Sequence, residues 1–461
     1  MAPSGEVRYA KSDGVDIAFQ TFDGPDRDIV FVPGFISHLD LMWDLPPFAA
    51  LHRQLTSSGR LTVFDKRGTG LSSRTLGFGS LAERMDDIRA VMDAAGIEKA
   101  DFFAISEGGP LALLFTATFP ERVSSLCLWA TLVRGLWAPE FPWGMSADTV
   151  EAGISWIEEN WGTGVALGGF IQHIPQSEQP RNQLARYQRS ACTPAQVGEI
   201  LRANIAIDIR SLLPTIQTPT LVMHNRNDPL ISVGQGRYIA QNIANCEYRE
   251  GEGDFHVAWE ARQMDWLLSQ LREWFSREGR EATRRSARPE GNAPERSAAT
   301  DSRVLATVLI TDIVGSTERA AAMGDHAWTE QLDAHDRVSK DAVRAHAGRI
   351  VKSTGDGIVA VFDSPSRAVQ CARLLSGSLG EMDMPVRAGV HTGEVELRGG
   401  DIGGVGVHLA SRVNALAGDG EVWVSRTVRD LVSGSGIQLE PRGAHSLKGF
   451  DEAWELYAVC G

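Results

Sequence analysis

Residues 276–302 read SREGREATRRSARPEGNAPERSAATDS, and no hydrophobic core can be built across them. Ala is the only aliphatic residue type in the segment and charges of both signs are interleaved, so it cannot bury enough surface to offset the entropy of ordering it. The chain must therefore fold as bodies on either side, 1–275 and 303–461, with 276–302 as a linker. EATRRSAR has no breaker before Pro289, so an exposed helix in the first half of the linker is compatible with the same division. Length agrees, because 461 residues exceed what one core supports.

Composition narrows the classes. Hydrophobic residues at 43% and charged residues at 23% describe folded domains rather than a disordered chain. A formal charge of -14 argues against general nucleic-acid binding, which needs a basic face. The cysteines Cys127, Cys192, Cys246, Cys371 and Cys460 lie far apart with no CxxC pair, which points to neither a disulfide framework nor a zinc site and fits a reducing compartment. MAPSGEVRYAKSDG lacks a basic start followed by an apolar run, and no stretch reaches the roughly 18 apolar residues of a membrane span. A cytoplasmic protein without a membrane span is expected.

Before the linker, the short β-rich runs DIVFVPG, LTVFDKRG, ADFFAIS and TLVMHN alternate with the helical stretches LAERMDDIRAVMDAAG and GPLALLFTATFP. Such alternation predicts a parallel sheet with crossover helices, an α/β fold. From about 132 to 213 the strands stop, and the Trp-rich, helix-favouring WAPEFPWG, ISWIEENWG and ARYQRS predict a cap over the sheet's carboxyl edge. Its tryptophans fit either packing within the cap or contact with an apolar acyl or ester ligand.

Ser106 falls where ADFFAI ends and GGPLALLF begins, at a crowded turn from strand to helix. Ala104, Gly108 and Gly109 supply the small residues that such a turn needs to hold a serine hydroxyl exposed. Asp228 follows the strand TLVMHN and His256 lies in GEGDFHV, so a nucleophile, an acid and a base follow in the order Ser, Asp, His. Asn227 and Asp254 are neighbouring alternatives for the acid, with Asp228 favoured by its position after the strand.

With FVPGF and VFDKRGTGLS, these motifs make residues 10–275 similar to the α/β-hydrolase family. The resemblance implies that Ser106 is the nucleophile, His256 its base and Asp228 the group orienting the imidazole, with the N–H groups of Phe35 and Glu107 as the oxyanion hole. Ala104 stands where that family usually has Gly, a position that requires smallness. The same pocket could instead hold a ligand without cleaving it, as a sensor.

After the linker, ATVLITDIVGST predicts a strand and turn, followed by one long helical stretch to about His346. RIVKSTGDGIVAVF predicts a hairpin, SRAVQCARLLSGS a helix, PVRAGVHTGEV a strand and GGVGVHLASRVNALA a helix. The order β, α, β, β, α, β resembles a ferredoxin-like α+β core with additions. Asp312 ends the first strand and Asp356 sits in the turn STGDG; a pair of carboxylates of this kind suits a hard cation such as magnesium.

TDIVGST, VKSTGDG, DIGGVGVHLASR and LKGFDEAWELY occur in the order found in class III nucleotidyl cyclases, and residues 303–461 resemble that family. A fusion of this kind resembles a known bacterial two-domain architecture. The resemblance implies an adenylyl cyclase making cyclic AMP and pyrophosphate from ATP, with two Mg2+ or Mn2+ ions per site. Asp312, Asp356 and the carbonyl of Ile313 match metal ligands, Lys352 and Asp401 the adenine-reading pair, Arg412 the transition-state arginine and Lys448 a phosphate-binding residue. In that family the metal aspartates and the base-reading residues of one site come from different subunits, which implies a homodimer.

His408 stands where the family usually places a ribose-positioning Asn. With Arg412 at i, i+4 it shares one helix face, so contact with the ribose and a plain surface role are both open. The alternative to a competent cyclase is a serine esterase or lipase-like hydrolase whose cyclase domain is weak or relaxed in base specificity.

Overall fold

The computed structural model describes residues 5–74, 77–276, 302–398, 401–450 and 452–460, which form two compact units. The expected linker lies almost wholly outside the described residues. No helix among the described residues is long and apolar enough to cross a membrane.

The first unit is built on strands β1 (Arg8–Ser12), β2 (Val15–Phe22), β3 (Asp28–Val32), β4 (Arg60–Phe64), β5 (Ala100–Ile105), β6 (Val123–Trp129), β8 (Thr220–Asn225) and β9 (Cys246–Gly251), in the spatial order β1-β2-β4-β3-β5-β6-β8-β9. The pairs from β4–β3 across to β8–β9 are parallel, whereas β1–β2 and β2–β4 are antiparallel. Helices α1 (Pro46–Ser58), α2 (Leu81–Ala94), α3 (Gly108–Thr118), α7 (Val233–Asn242) and α8 (Asp265–Phe275) are its crossovers and flanks. Every residue of β5 and β8 is buried, as parallel strands covered on both faces must be. That is why ADFFAI and TLVMHN read as near-continuous apolar runs.

The cap carries α4 (Ala147–Asn160), α5 (Glu178–Ala191) and α6 (Pro194–Ile205). Thr193 and Gln196 form a reciprocal capping box at the start of α6. The expectation that strands stop here is corrected by β7 (Ile171–Gln172), which pairs in parallel with β10 (Val257–Ala258). Two residues are too few for any periodicity, so tertiary pairing alone makes this strand.

In the second unit, β11 (Ser302–Ile313), β12 (Arg349–Ser353), β13 (Ile358–Phe362) and β14 (Val386–Arg398) lie in the order β12-β13-β11-β14, all antiparallel. With α10 (Asp325–Ala345) and α11 (Pro365–Glu381) as the two crossovers, this is the ferredoxin-like arrangement. The additions are β15 (Asp401–Gly403) beside β14, then α12 (Val405–Leu416), β16 (Val422–Ser425), α13 (Arg426–Leu431), β17 (Leu439–Ser446) and β18 (Ala453–Val459). The single long helix expected before His346 is two. α9 (Ser316–Met323) ends at Gly324, whose φ of +79° breaks the helix before α10 begins.

Candidate active sites

At the end of β5 the chain turns into α3 through Ser106, whose φ is +56°. A non-glycine residue held there is strained, and the surroundings hold it. Ser106 N–H donates to the Trp129 carbonyl at 2.9 Å, and Thr131 Oγ1 donates to the Ser106 carbonyl at 2.6 Å. A Cβ on Gly108 would lie 2.5 Å from the Val32 and Pro33 carbonyl oxygens, and one on Gly109 would collide with Thr131. Both glycines are therefore required by space.

His256 and Asp228 are buried beneath the cap, and His256 Nδ1 lies 2.8 Å from Asp228 Oδ2. Asp228 Oδ1 accepts from the N–H groups of Leu230 and Ile231 at 2.8 and 3.0 Å. Burial would push the Asp228 carboxyl up, but the facing His256 and hydrogen bonds from His224 and His256 outweigh burial and hold it well below the ordinary carboxylate range. An ionised carboxylate only accepts, so Nδ1 of His256 carries the proton and Nε2 is left as the basic lone pair. Nε2 has no hydrogen-bond partner among the described residues. His256 and Ser106 both line a cavity of about 50 Å3. Among the described residues no hydrogen bond joins Ser106 to His256. Asp254, the alternative acid, is exposed and bonded to His173.

The N–H groups of Phe35 and Glu107 donate no hydrogen bond among the described residues. A second cavity, of about 100 Å3, also reaches Ser106, and Phe35, Ser106 and Phe170 line both. Three polar features near this site were not anticipated. The cap residue Gln172 accepts from the His256 N–H at 2.6 Å, fixing the base from the cap side. The Glu107 carboxylate is buried between Lys66 Nζ and Arg84 Nη1, the latter at 2.6 Å. Burial lowers the Lys66 pKa to about 8 even though Glu107 opposes the shift. Asn204 of α6 closes the chain of contacts, its Oδ1 accepting from Arg84 Nη1 at 3.0 Å.

In the second unit, Ile313 N–H donates to the Asp356 carbonyl at 2.7 Å, and Ile358 N–H to Thr311 Oγ1 at 3.3 Å, so the β12–β13 turn is tied to the end of β11. Gly355 has φ +98°, and a Cβ on Gly357 would collide with the Thr311 carbonyl. The STGDG turn needs both glycines. Asp356 Oδ2 accepts from Ser316 Oγ at 2.6 Å. Asp312 faces Arg387 across the β11–β14 ladder and accepts from its Nε and Nη2 at 2.6 and 3.0 Å, with Asn414 Nδ2 at 3.2 Å.

Among the described residues no group of three His, Cys, Asp or Glu side chains could hold a metal. The hard-oxygen set of Asp312, Asp356 and the Ile313 carbonyl would nonetheless suit a divalent cation. Asp312 already holds a cationic partner, the Arg387 guanidinium, which marks the position as one that takes positive charge.

Lys352 on β12 and Asp401 on β15 are exposed, and Asp401 Oδ1 accepts from the Ile402 N–H at 2.8 Å. His408 is exposed on α12. One turn on, Arg412 Nε donates to the Lys448 carbonyl at 3.2 Å. The geometry thus brings together Asp312, Ile313 and Asp356, and separately Arg412 and Lys448.

The family model for the alpha/beta hydrolase fold matches residues 29–261, and that for the adenylate and guanylate cyclase catalytic domain matches 300–461. The chain is 31% identical over 206 residues to 3-oxoadipate enol-lactonase 1 of Acinetobacter baylyi, covering 44% of this chain and 72% of that protein. It is 31% identical over 164 residues to putative adenylate cyclase 3 of Rhizobium meliloti, covering 34% of this chain and 28% of that protein. Serine/threonine-protein kinase pkn2 of Myxococcus xanthus is matched over only 19% of its length. An esterase from Exiguobacterium antarcticum shares the fold of the first unit at 19% identity and a TM-score of 0.50, over 58% of this chain and 98% of that one. The chain belongs to the α/β-hydrolase family through its first unit, and its second unit matches the adenylate and guanylate cyclase catalytic domain.

Proposed function

We propose that the chain joins two enzymes, an adenylyl cyclase that converts ATP to cyclic AMP and pyrophosphate and a serine hydrolase acting on an acyl ester or lactone. The observation that carries the cyclase reading is the 2.7 Å bond from Ile313 N–H to the Asp356 carbonyl, which holds two aspartates at one end of an antiparallel sheet. Asp312, Asp356 and the Ile313 carbonyl would hold Mg2+ or Mn2+, two per site, which when bound supplies Lewis-acid charge at the phosphates. Lys352 Nζ donates to adenine N1 and Asp401 accepts from the exocyclic amine. Guanine presents the opposite groups and would leave both unpaired. Arg412 sets its guanidinium charge against the α-phosphate as the ribose 3'-oxygen displaces pyrophosphate, and Lys448 binds the departing phosphates. His408, on the same helix face as Arg412, contacts the ribose.

Exposure of Lys352, Asp401 and His408 on one chain supports a site completed by a second copy, a homodimer with two equivalent sites. The test is cyclic AMP formation by the purified chain with ATP and Mg2+ or Mn2+. Turnover that is lost in Asp312→Ala and Asp356→Ala is expected, and undiminished output from those variants would sink the reading.

The hydrolase reading is favoured by the 2.8 Å His256–Asp228 pair beside a strained Ser106. Ser106 Oγ attacks the acyl carbon and its proton passes to His256 Nε2. That proton then leaves with the alcohol oxygen as the acyl C–O bond breaks, and water repeats the sequence to free the acid and Ser106.

A further inference from the structure

Two cavities meet at Ser106, and on the reading of Ser106 as a nucleophile an ester would be divided between them. The leaving alcohol must receive its proton from His256 Nε2, and only the smaller cavity is lined by His256. The acyl chain therefore takes the larger cavity, which Glu107 and Asn204 line. Its walls are mostly apolar, with Leu132, Trp143, Leu201, Ile205 and Leu230 among them.

Three uncharged polar side chains other than Ser106 interrupt those walls, and two are already engaged. Ser232 Oγ accepts from Gly234 N–H at 3.3 Å, while Gln235 accepts from Val133 N–H at 3.1 Å and donates to the Arg134 carbonyl at 2.6 Å. Asn204 is different. It is 5% exposed, and its Nδ2 has no hydrogen-bond partner among the described residues. The amide cannot relieve this by flipping, because Oδ1 is held by Arg84 Nη1, and a flip would set one donor against another. Arg84 in turn is fixed by Glu107 Oε1 at 2.6 Å. A buried, unpaired donor is costly, and its orientation is set by a charged network that reaches the residue following the nucleophile.

We propose that Asn204 Nδ2 is the specificity donor of this site, and that the preferred substrate is an ester or lactone whose acyl part carries a second oxygen acceptor, a ketone or a carboxylate, that meets it. This rests on the reading of Ser106 as a nucleophile. Lys66 and Arg84 together outweigh Glu107 by one positive charge, which favours a carboxylate over a ketone as the acceptor.

The test uses the full chain and p-nitrophenyl esters of straight-chain acids from butanoate to octanoate, each beside its oxo and its terminal carboxy counterpart. Labelling of Ser106 by a fluorophosphonate reports the nucleophile independently. The wild type is expected to prefer an acceptor-bearing ester over its parent by roughly tenfold or more in kcat/KM. In Asn204→Asp, which keeps an acceptor for Arg84 but turns the donor into an acceptor and adds a negative charge, that ratio should fall to about one or below, further for the carboxy than for the oxo esters. A wild type that is labelled at Ser106 yet treats parent and acceptor-bearing esters alike overturns the proposal and leaves the nucleophile standing, as does an Asn204→Asp enzyme that keeps the preference. Absence of both labelling and hydrolysis removes the nucleophile reading and this proposal with it.

Discussion

The two sites solve the problem of placing charge in opposite ways. Around Ser106 the ionisable groups are buried and answered within the chain: Asp228 by His256 and two N–H groups, Glu107 by Lys66 and Arg84. In the cyclase unit Lys352, Asp401 and His408 are exposed. A buried charge must be paired where it stands, whereas an exposed one stays hydrated until a ligand displaces the water. The first site is thus finished by one fold. The second is ready for something from outside it.

The largest effects should come from separating the two chemistries. Ser106→Ala and Asp228→Asn are each expected to lower ester kcat/KM by roughly 10^3-fold or more while cyclic AMP formation persists. Asp312→Ala should do the reverse. If Ser106→Ala also silenced the cyclase, the two sites would be one machine, and the comparison would fail at its root.

The next effect tests whether the exposed site is a half-site. Asp312→Ala and Lys352→Ala, each nearly inactive alone, should regain about a quarter of wild-type cyclase turnover when mixed and re-equilibrated, since half the dimers are mixed and each has one intact site. Ester hydrolysis, complete within one chain, should show no such recovery when Ser106→Ala is mixed with His256→Ala. Recovery of the ester activity, or none of the cyclase, would invert the comparison.

What could be read ahead followed the same division. The strands flanking Ser106 were legible because burial on both faces forces apolar runs, and the elbow because Gly108 and Gly109 leave no room for a Cβ. The turn that carries Asp356 was legible because Gly355 and Gly357 mark it. The buried network was not. Lys66, Arg84, Glu107 and Asn204 are far apart in sequence, and each alone reads as a surface residue; only the fold makes them neighbours. Arg387 meets Asp312 through strand register, which no local pattern encodes. A hydrogen-bonding role for Gln172 depends on a two-residue strand pairing across the chain.

Acid should blur the contrast between the units. Each holds a histidine buried in its neutral form: His52 against Phe31 and Trp43, and His391 with Nδ1 2.8 Å from Ser425 Oγ. Burial lowers both to about 3 from 6.5. The unfolded chain then binds protons that the folded one refuses, so stability present above pH 6.5 is lost as pH falls towards 3, by about 1.4 kcal/mol per unit for each group. His391→Gln should flatten the acid limb of cyclase survival, measured as activity recovered after timed exposure, and leave that of the esterase in place; His52→Leu should do the opposite. Equal flattening of both limbs by one substitution would mean that the units unfold as a single body.

The smallest effect bears on how the exposed site meets its ligand. His408 lies one turn from Arg412 on α12, and no hydrogen bond or ion pair holds its ring among the described residues. If it contacts the ribose, an imidazole in the place of an amide offers one donor of different reach, and His408→Asn should raise cyclase kcat by roughly three- to tenfold, a gain near 1 kcal/mol. KM for ATP should change less, because an attacking oxygen that is better aligned is felt in the transition state more than in binding. A surface histidine would instead leave both constants within experimental scatter. The comparison then sharpens in a particular way: the buried site would be limited by what its walls admit, and the exposed one by how well a single unpinned side chain orients the substrate.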